Sequence, residues 1–167
     1  IATHEQFQLF AAYQRGRHGD GDMSKMDFFD YQGLVEDTSV DTQLIEFRDA
    51  GGSLVGACLT DRMANGLSAV YSFFDPGLDS RSLGSYMILW LIGEACRSGL
   101  GYVYLGFWIH DCAKMAYKRR FQPMEVRTPK GWVAIGAELA DAKASAPPGE
   151  VPVNSADDEN LSLGEIL

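Results

Sequence analysis

Cysteine is scarce and scattered: Cys58, Cys96 and Cys112 are the three in 167 residues. They show no CxxC or Cys/His spacing and are odd in number, so neither a zinc site nor a disulfide framework is expected and a reducing cytoplasmic setting fits best. No motif points to a metal or an organic cofactor. Basic residues are also few, 14 Lys and Arg against 23 Asp and Glu for a net charge of −9, which excludes a general nucleic-acid coat and any DNA-binding role. Five of those acids, Glu150, Asp157, Asp158, Glu159 and Glu165, follow the last lysine, Lys143. The body is therefore only mildly acidic and leaves room for a local basic site. Long apolar runs are missing as well. The most apolar stretch, Tyr86 to Ile92, stops at Gly93-Glu94, far short of a bilayer span, so a soluble protein is expected. An initiating methionine is absent too: the chain opens on Ile1, which marks it as an expected piece of something longer.

What is present suffices for one core, since 46% of the 167 residues are hydrophobic. Phe7, Phe10, Ala11 and Tyr13 recur at helical spacing behind Thr3, a candidate N-cap, and this helix should end near Gly16. A polar loop over Arg17 to Asp22 follows. Ser24 is then expected to cap a second helix carrying Met26, Phe29, Tyr31 and Leu34. Short β-like runs come next, Gln43 to Arg48, Leu54 to Asp61 and Leu67 to Phe74. Ala50-Gly51-Gly52 and Ala64-Asn65-Gly66 separate them, which predicts an antiparallel three-stranded meander. Asp75-Pro76-Gly77 ends the third strand. A helix apolar nearly all round, Tyr86 to about Arg97, is expected to be buried, and Tyr102 to Ile109 reads as a central strand covered on both faces. A basic helix over Cys112 to Arg120 and a last strand over Trp132 to Ile135 complete an α+β domain spanning 1–139. Residues 140–167 form an acidic tail without periodicity, expected to be mobile.

This element order resembles the GNAT-like acyl-CoA N-acyltransferase fold, a central mixed sheet flanked by helices. In that fold an Arg/Gln-x-x-Gly-x-Gly/Ala turn opens the crossover helix and holds pyrophosphate on backbone N–H groups. Arg81-Ser82-Leu83-Gly84-Ser85-Tyr86 keeps the arginine and first glycine but places Tyr86 where a second small residue belongs.

Five blocks carry a closer resemblance. Tyr13-Gln14 with Arg17-His18-Gly19-Asp20-Gly21-Asp22-Met23 is one, and Gly66 to Tyr71 with Phe73-Phe74-Asp75-Pro76 is another. Arg81 to Gly84, Tyr102 to Ile109, and Lys114 to Lys118 with Phe121 and Pro123 are the rest. Together, over residues 7–133, they resemble the C-terminal catalytic domain of aminoacyl-tRNA–protein transferases, the arginyl-tRNA–protein transferases and bacterial aspartate/glutamate leucyltransferases. The resemblance implies transfer of leucine or arginine from charged tRNA to the α-amine of proteins starting with Asp or Glu, a step of N-degron degradation. The Arg-His-Gly-Asp-Gly-Asp-Met form resembles the bacterial, leucine-passing branch. Such enzymes also carry a preceding region with clustered cysteines and arginines, which these 167 residues do not contain.

That reaction attacks an ester with an amine of pKa about 8, so orientation and a modest base suffice. Backbone near Tyr71-Ser72 is expected to stabilise the oxyanion, and Asp75 or Asp61 to take the amine proton, each ending a meander strand beside the crossover loop. Asp75 equally suits a plain turn before Pro76. Tyr117 would protonate the departing ribose hydroxyl or simply pack, and His110 ranks behind it. Lys114 and Lys118, four apart on one helix face with Arg119 and Arg120, would hold tRNA phosphates with Arg81, Ser82 and Gly84, or decorate a solvated face. Tyr102, Tyr104, Phe107 and Trp108 are either core or a stacking surface for the terminal adenine. Arg17 and His18 would meet the acceptor's carboxylate. Two other functions stay open: an acetyl-CoA-dependent N-acyltransferase, and a non-catalytic module that binds acidic N-termini.

A chain ending at residue 139 is expected to melt within a few degrees of the full chain, because the tail offers no apolar periodicity to a core. Thermal unfolding of both chains checks this.

Overall fold

Thr3 opens the first helix, α1 (His4–Arg17). Its Oγ1 accepts from the Gln6 N–H at 3.3 Å and Gln6 Oε1 accepts from the Thr3 N–H at 2.8 Å, a reciprocal capping box. One face of α1 buries Gln6, Phe10 and Gln14 at successive turns. The second helix, α2 (Phe28–Glu36), is capped by Asp27 and not by Ser24 as the sequence predicts. Asp27 has an acidic partner three residues on, Asp30, which completes its capping box. Ser24 lies instead in a short 3-10 turn, its hydroxyl donating to the Gly19 and Gly21 carbonyls.

These elements belong to a computed structural model that describes residues 1–19, 21–109 and 113–135. Ile1–Gly106 forms one unit and Phe107–Leu167 a second. In the first, β1 (Thr42–Arg48), β2 (Leu54–Arg62) and β3 (Gly66–Phe74) make the predicted antiparallel meander, with Asn65 in the turn before β3. A mixed sheet of order β1-β2-β3-β4 results, because β4 (Tyr102–Tyr104) pairs parallel to Gly66–Ser68. The expected central strand over Tyr102 to Ile109 is thus corrected to three residues at a sheet edge. Gly106, at φ +70°, takes a left-handed backbone that ends the extended run. Tyr102, Phe107 and Ile109 are more than half exposed.

The chain α+β class follows from helices on both sheet faces. Phe10 and Tyr31, from α1 and α2, pack with Ala57 and Phe73 on one face. The third helix, α3 (Leu83–Arg97), packs Leu83, Met87, Leu91 and Ala95 against Phe47, Cys58, Leu67 and Phe74 on the other. Burial all round does not hold for α3: Tyr86 and Leu89 are 53% and 58% exposed, because only one face meets the sheet. A Cβ on Gly56 would overlap the Met87 methyl, so the end of the Met87 side chain fills the space that this glycine leaves on β2.

In the second unit the basic segment Ala113–Arg120 is a 3-10 helix, not the expected α-helix. A hairpin follows, β5 (Glu125–Thr128) with β6 (Gly131–Ala134). The sequence anticipated its second strand and its Pro129-Lys130-Gly131 turn, and missed its first. His110, Cys112 and the tail over 140–167 lie outside the described residues. Cys58 is buried and Cys96 exposed, both free thiols.

Leu91 has no exposed surface, so Leu91→Ala should cost about 2–5 kcal/mol. Leu89→Ala, on the open side of the same helix, should change stability by less than ~0.5 kcal/mol. Chemical denaturation of the two variants separates the faces of α3.

Candidate functional site

The last turn of α1 is laid against the end of β3, and most of the predicted site residues of the first unit collect there. Tyr13 packs with the clusters on both sheet faces, so it sits at the β3 edge. Its ring is 5.0 Å from Phe74 and 5.9 Å from His18. Arg17 places its guanidinium over the Phe74 ring at 5.1 Å, a cation–π contact. Gly16 touches the loop beyond β3, where an added Cβ would stand 3.2 Å from Pro76. Gln14, from the same turn, donates its Nε2 proton to the Tyr71 hydroxyl at 2.8 Å. Arg17, His18, Tyr71 and Asp75 are thereby gathered around one strand end.

The backbone of β3 is irregular at this point. Tyr71 faces Leu59 and Ala69 faces Thr60, leaving Val70 as the extra residue of a β-bulge. Ladder pairing with β4 stops at Ser68. No strand among the described residues takes up the β3 edge from Ala69 to Phe74. Asp75 N–H donates to the Val55 carbonyl at 3.0 Å, and antiparallel alternation then directs the N–H groups of Ser72 and Phe74 away from β2, toward that open edge. The expectation of backbone donors near Tyr71-Ser72 thus meets a bulged, half-covered strand.

Arg81, Ser82 and Gly84 follow at the start of α3. Ser82 is the N-cap at φ 51°, the one non-glycine residue with positive φ among those described, and its side chain makes no capping bond. The first N–H groups of α3 are therefore not satisfied by a side-chain cap, the condition that suits a helix start to an anion. Gly84 lies 3.4 Å, measured from an added Cβ, from the Phe74 ring, which brings this helix start to the same strand end. Tyr86 does not stand over it: its ring packs edge-on against Phe47 at 5.9 Å.

Two other expectations are corrected. Asp61 and Asp75 do not share the crossover side, because β2 and β3 run antiparallel. Asp61 faces Ser68 near the start of β3, whereas Asp75 follows its end. Asp61 accepts from the Thr42 hydroxyl at 2.6 Å, a cross-strand bond within the sheet. Asp75 accepts from the Gly77 N–H at 2.8 Å, as its turn reading foresaw. Ala113–Arg120 is wound as a 3-10 helix, so the α-helical spacing from which a shared face for positions 114 and 118 was expected does not apply to it. Lys118 donates to the Phe107 carbonyl at 2.6 Å within its own unit. Tyr102 and Tyr104 stack on each other near Asn65, at the sheet end away from Asp75.

Burial governs the phenols. Desolvation pushes the Tyr71 hydroxyl up to about 12, against the lowering effect of the Gln14 hydrogen bond. Burial raises Tyr31 and Tyr117 as well. Among the described residues no three His, Cys, Asp or Glu side chains gather as metal ligands, and no helix is long and apolar enough to cross a membrane.

Comparison with known proteins adds a family. Residues 5–128 match the family described as the C terminus of arginine-tRNA-protein transferase. The chain is 58% identical over 131 residues to an aspartate/glutamate leucyltransferase of Paramagnetospirillum magneticum, covering 78% of this chain and 54% of the relative. It is 57% identical over 135 residues to the protein of that name from Rhodospirillum rubrum, covering 80% and 55%. With the one from Gluconacetobacter diazotrophicus it shares 50% over 153 residues, covering 92% and 59%. The chain thus spans little more than half the length of these relatives.

A Tyr71 phenol at about 12 binds its proton more tightly than an unfolded tyrosine at about 10. Its contribution to stability is complete below about pH 10 and is lost as pH rises through about 12. Stability measured by denaturation from pH 8 to 12 should therefore fall, and less steeply in Tyr71→Phe, with Tyr31 and Tyr117 supplying the rest of the slope.

Proposed function

The chain belongs to the arginine-tRNA-protein transferase C-terminal family, and from that premise we propose that it transfers leucine from charged tRNA to the α-amine of proteins beginning with Asp or Glu. The protein would work in the cytoplasm, where charged tRNA resides, on a GNAT-like frame. One observation carries the placement of the chemistry. A bulged, half-covered strand edge with N–H donors lies between a cationic helix end and an uncapped helix start.

Each group then has a task that its chemistry suits. Arg17, with His18, meets the acceptor's acidic side chain, where a guanidinium gives the stronger, charge-assisted contact. The acceptor α-amine attacks the ester carbonyl, and the N–H groups of Ser72 and Phe74 receive the developing oxyanion. Asp75, beside the same strand end, serves as the base for the amine proton. Arg81 and the N–H groups from Ser82 to Gly84 hold phosphate of the acceptor end of tRNA. Lys114, Lys118, Arg119 and Arg120 supply further, sequence-blind phosphate attraction in a protein that is otherwise acidic. Neither a metal nor an acyl-CoA is needed, because the ester is already activated.

Incubation of the chain with leucyl-tRNA and an Asp-starting peptide, followed by mass spectrometry, tests the assignment. A leucine-sized increment on the peptide N-terminus is expected. An acetyl increment in a parallel acetyl-CoA reaction, or peptide binding with no increment at all, would replace the reading by an N-acyltransferase or a binding module. Arg17→Ala should raise KM for the Asp peptide roughly tenfold or more while changing kcat little, the loss of one hydrogen-bonded charge pair. Steady-state kinetics on Asp- and Ala-starting peptides checks this, and the effect should vanish for the alanine peptide.

A further inference from the structure

We propose that Gln14 is a positioning residue for transfer, holding the Tyr71 hydroxyl so that its proton is directed to the departing ribose oxygen. This rests on the reading that an aminoacyl ester is cleaved at the β3 edge.

Gln14 occupies the buried stripe of α1, one turn after Phe10, and is 1% exposed. Its Nε2 donates to Tyr71 Oη at 2.8 Å, while its Oε1 is buried without a hydrogen-bond partner. A leucine or methionine would fill such a position without leaving a buried oxygen unsatisfied. Glutamine there costs the fold stability, and what it secures is the orientation of one phenol. Donation from Gln14 occupies a lone pair of the Tyr71 oxygen, so the phenol proton is turned to another acceptor and is polarised toward it. Tyr71 is where such a proton is useful: it adjoins the bulge at Val70 and precedes Ser72, whose N–H faces the open edge. Burial keeps the phenol protonated throughout the neutral range.

The step balances within the substrates. The acceptor nitrogen forms a bond to the ester carbonyl carbon and the carbon–oxygen bond to the ribose breaks. The ribose oxygen leaves as a hydroxyl bearing the Tyr71 proton. The one proton that the nitrogen loses as the amide forms goes to Asp75 and returns to Tyr71 through solvent, so both groups end in their starting states. No oxidant or further reactant enters.

The test uses Gln14→Leu, Gln14→Met, Tyr71→Phe and the double variant Gln14→Leu/Tyr71→Phe, assayed with leucyl-tRNA and an Asp-starting peptide. Loss of a positioned proton donor should lower kcat by about 10–100-fold in each single variant, with KM for both substrates within about twofold. The double variant should be no slower than Tyr71→Phe alone, since Gln14 acts only through that hydroxyl. Melting temperature should stay level or rise in the Gln14 variants. A tyrosine carbon-13 titration should show the Tyr71 pKa moving up in them, as a hydrogen bond that lowers it is lost. Multiplicative losses in the double variant, an unchanged kcat in Gln14→Leu and Gln14→Met, or a fall in melting temperature that accounts for the lost activity would overturn the inference. Absence of any leucine transfer by the unmodified chain would overturn the functional reading and the inference with it. Transfer by the unmodified chain with indifferent Gln14 variants overturns the inference alone.

Discussion

The site depends on how closely the last turn of α1 approaches the end of β3. Gly16 makes that approach possible, since a side chain there would stand 3.2 Å from Pro76 at its first carbon and the helix or the loop would have to give way. With the backbones this near, Tyr13 and Arg17 reach Phe74 and Gln14 reaches Tyr71. The other end of α1 is tied to the sheet by a surface ion pair. Arg48 of β1 grips Glu5 through both carboxylate oxygens, at 2.7 and 3.1 Å, which draws the Glu5 carboxyl below its usual range. The helix is thus anchored at β1 and delivers its C-terminal turn to β3, across the width of the sheet. A cation, two aromatic rings and a phenol are presented at a strand edge that the sheet itself leaves half covered.

Local charge, not the global balance, decides what such an edge can bind. The chain carries −9 overall, yet the end of α1 contributes Arg15 and Arg17 in its last turn, and Arg81 stands just ahead of α3. Fields from distant carboxylates are screened over roughly 10 Å at ordinary salt, so they do not cancel a cation in contact with its ligand. On the proposed function, this is how an acidic protein would attract an acidic N-terminus and a phosphate at one strand end. The opposite sheet end, with Asp61 bonded to Thr42 and Tyr104 bonded to Asn65, has its polar groups committed to the sheet.

Short-range signals in the sequence translated directly into structure. Thr3 was legible as the N-cap of α1, and Asn65-Gly66 as the turn between β2 and β3. The family, too, was legible from blocks that keep their order, and the matched residues 5–128 cover all five of them. Features that depend on neighbours distant in sequence were not legible. Whether Tyr102 to Ile109 became a central strand depended on what lay beside it and on the left-handed turn at Gly106. Asp61 and Asp75 both end strands, but which end of the sheet each one faces is fixed only by antiparallel pairing. The 3-10 winding of Ala113–Arg120 broke an argument built on α-helical spacing. Gln14 was missed although a signal existed. A glutamine falls on the same helical stripe as Phe10, and a polar residue there asks for a partner that only the folded sheet supplies. The bulge at Val70 left no mark on the sequence, since the run from Leu67 to Phe74 reads as unbroken strand.

The central claim is that the acceptor N-terminus and the reacting ester meet at the edge of β3 beside the end of α1. Photo-crosslinking tests it most directly, with an Asp-starting peptide that carries a photoreactive side chain at its second residue and with adducts mapped by mass spectrometry. The account predicts adducts within Tyr13–His18 and Ser72–Asp75, competed away by unlabelled Asp peptide and not by one starting with alanine. Competed adducts confined to the opposite sheet end, around Asn65 and Tyr102, would contradict it.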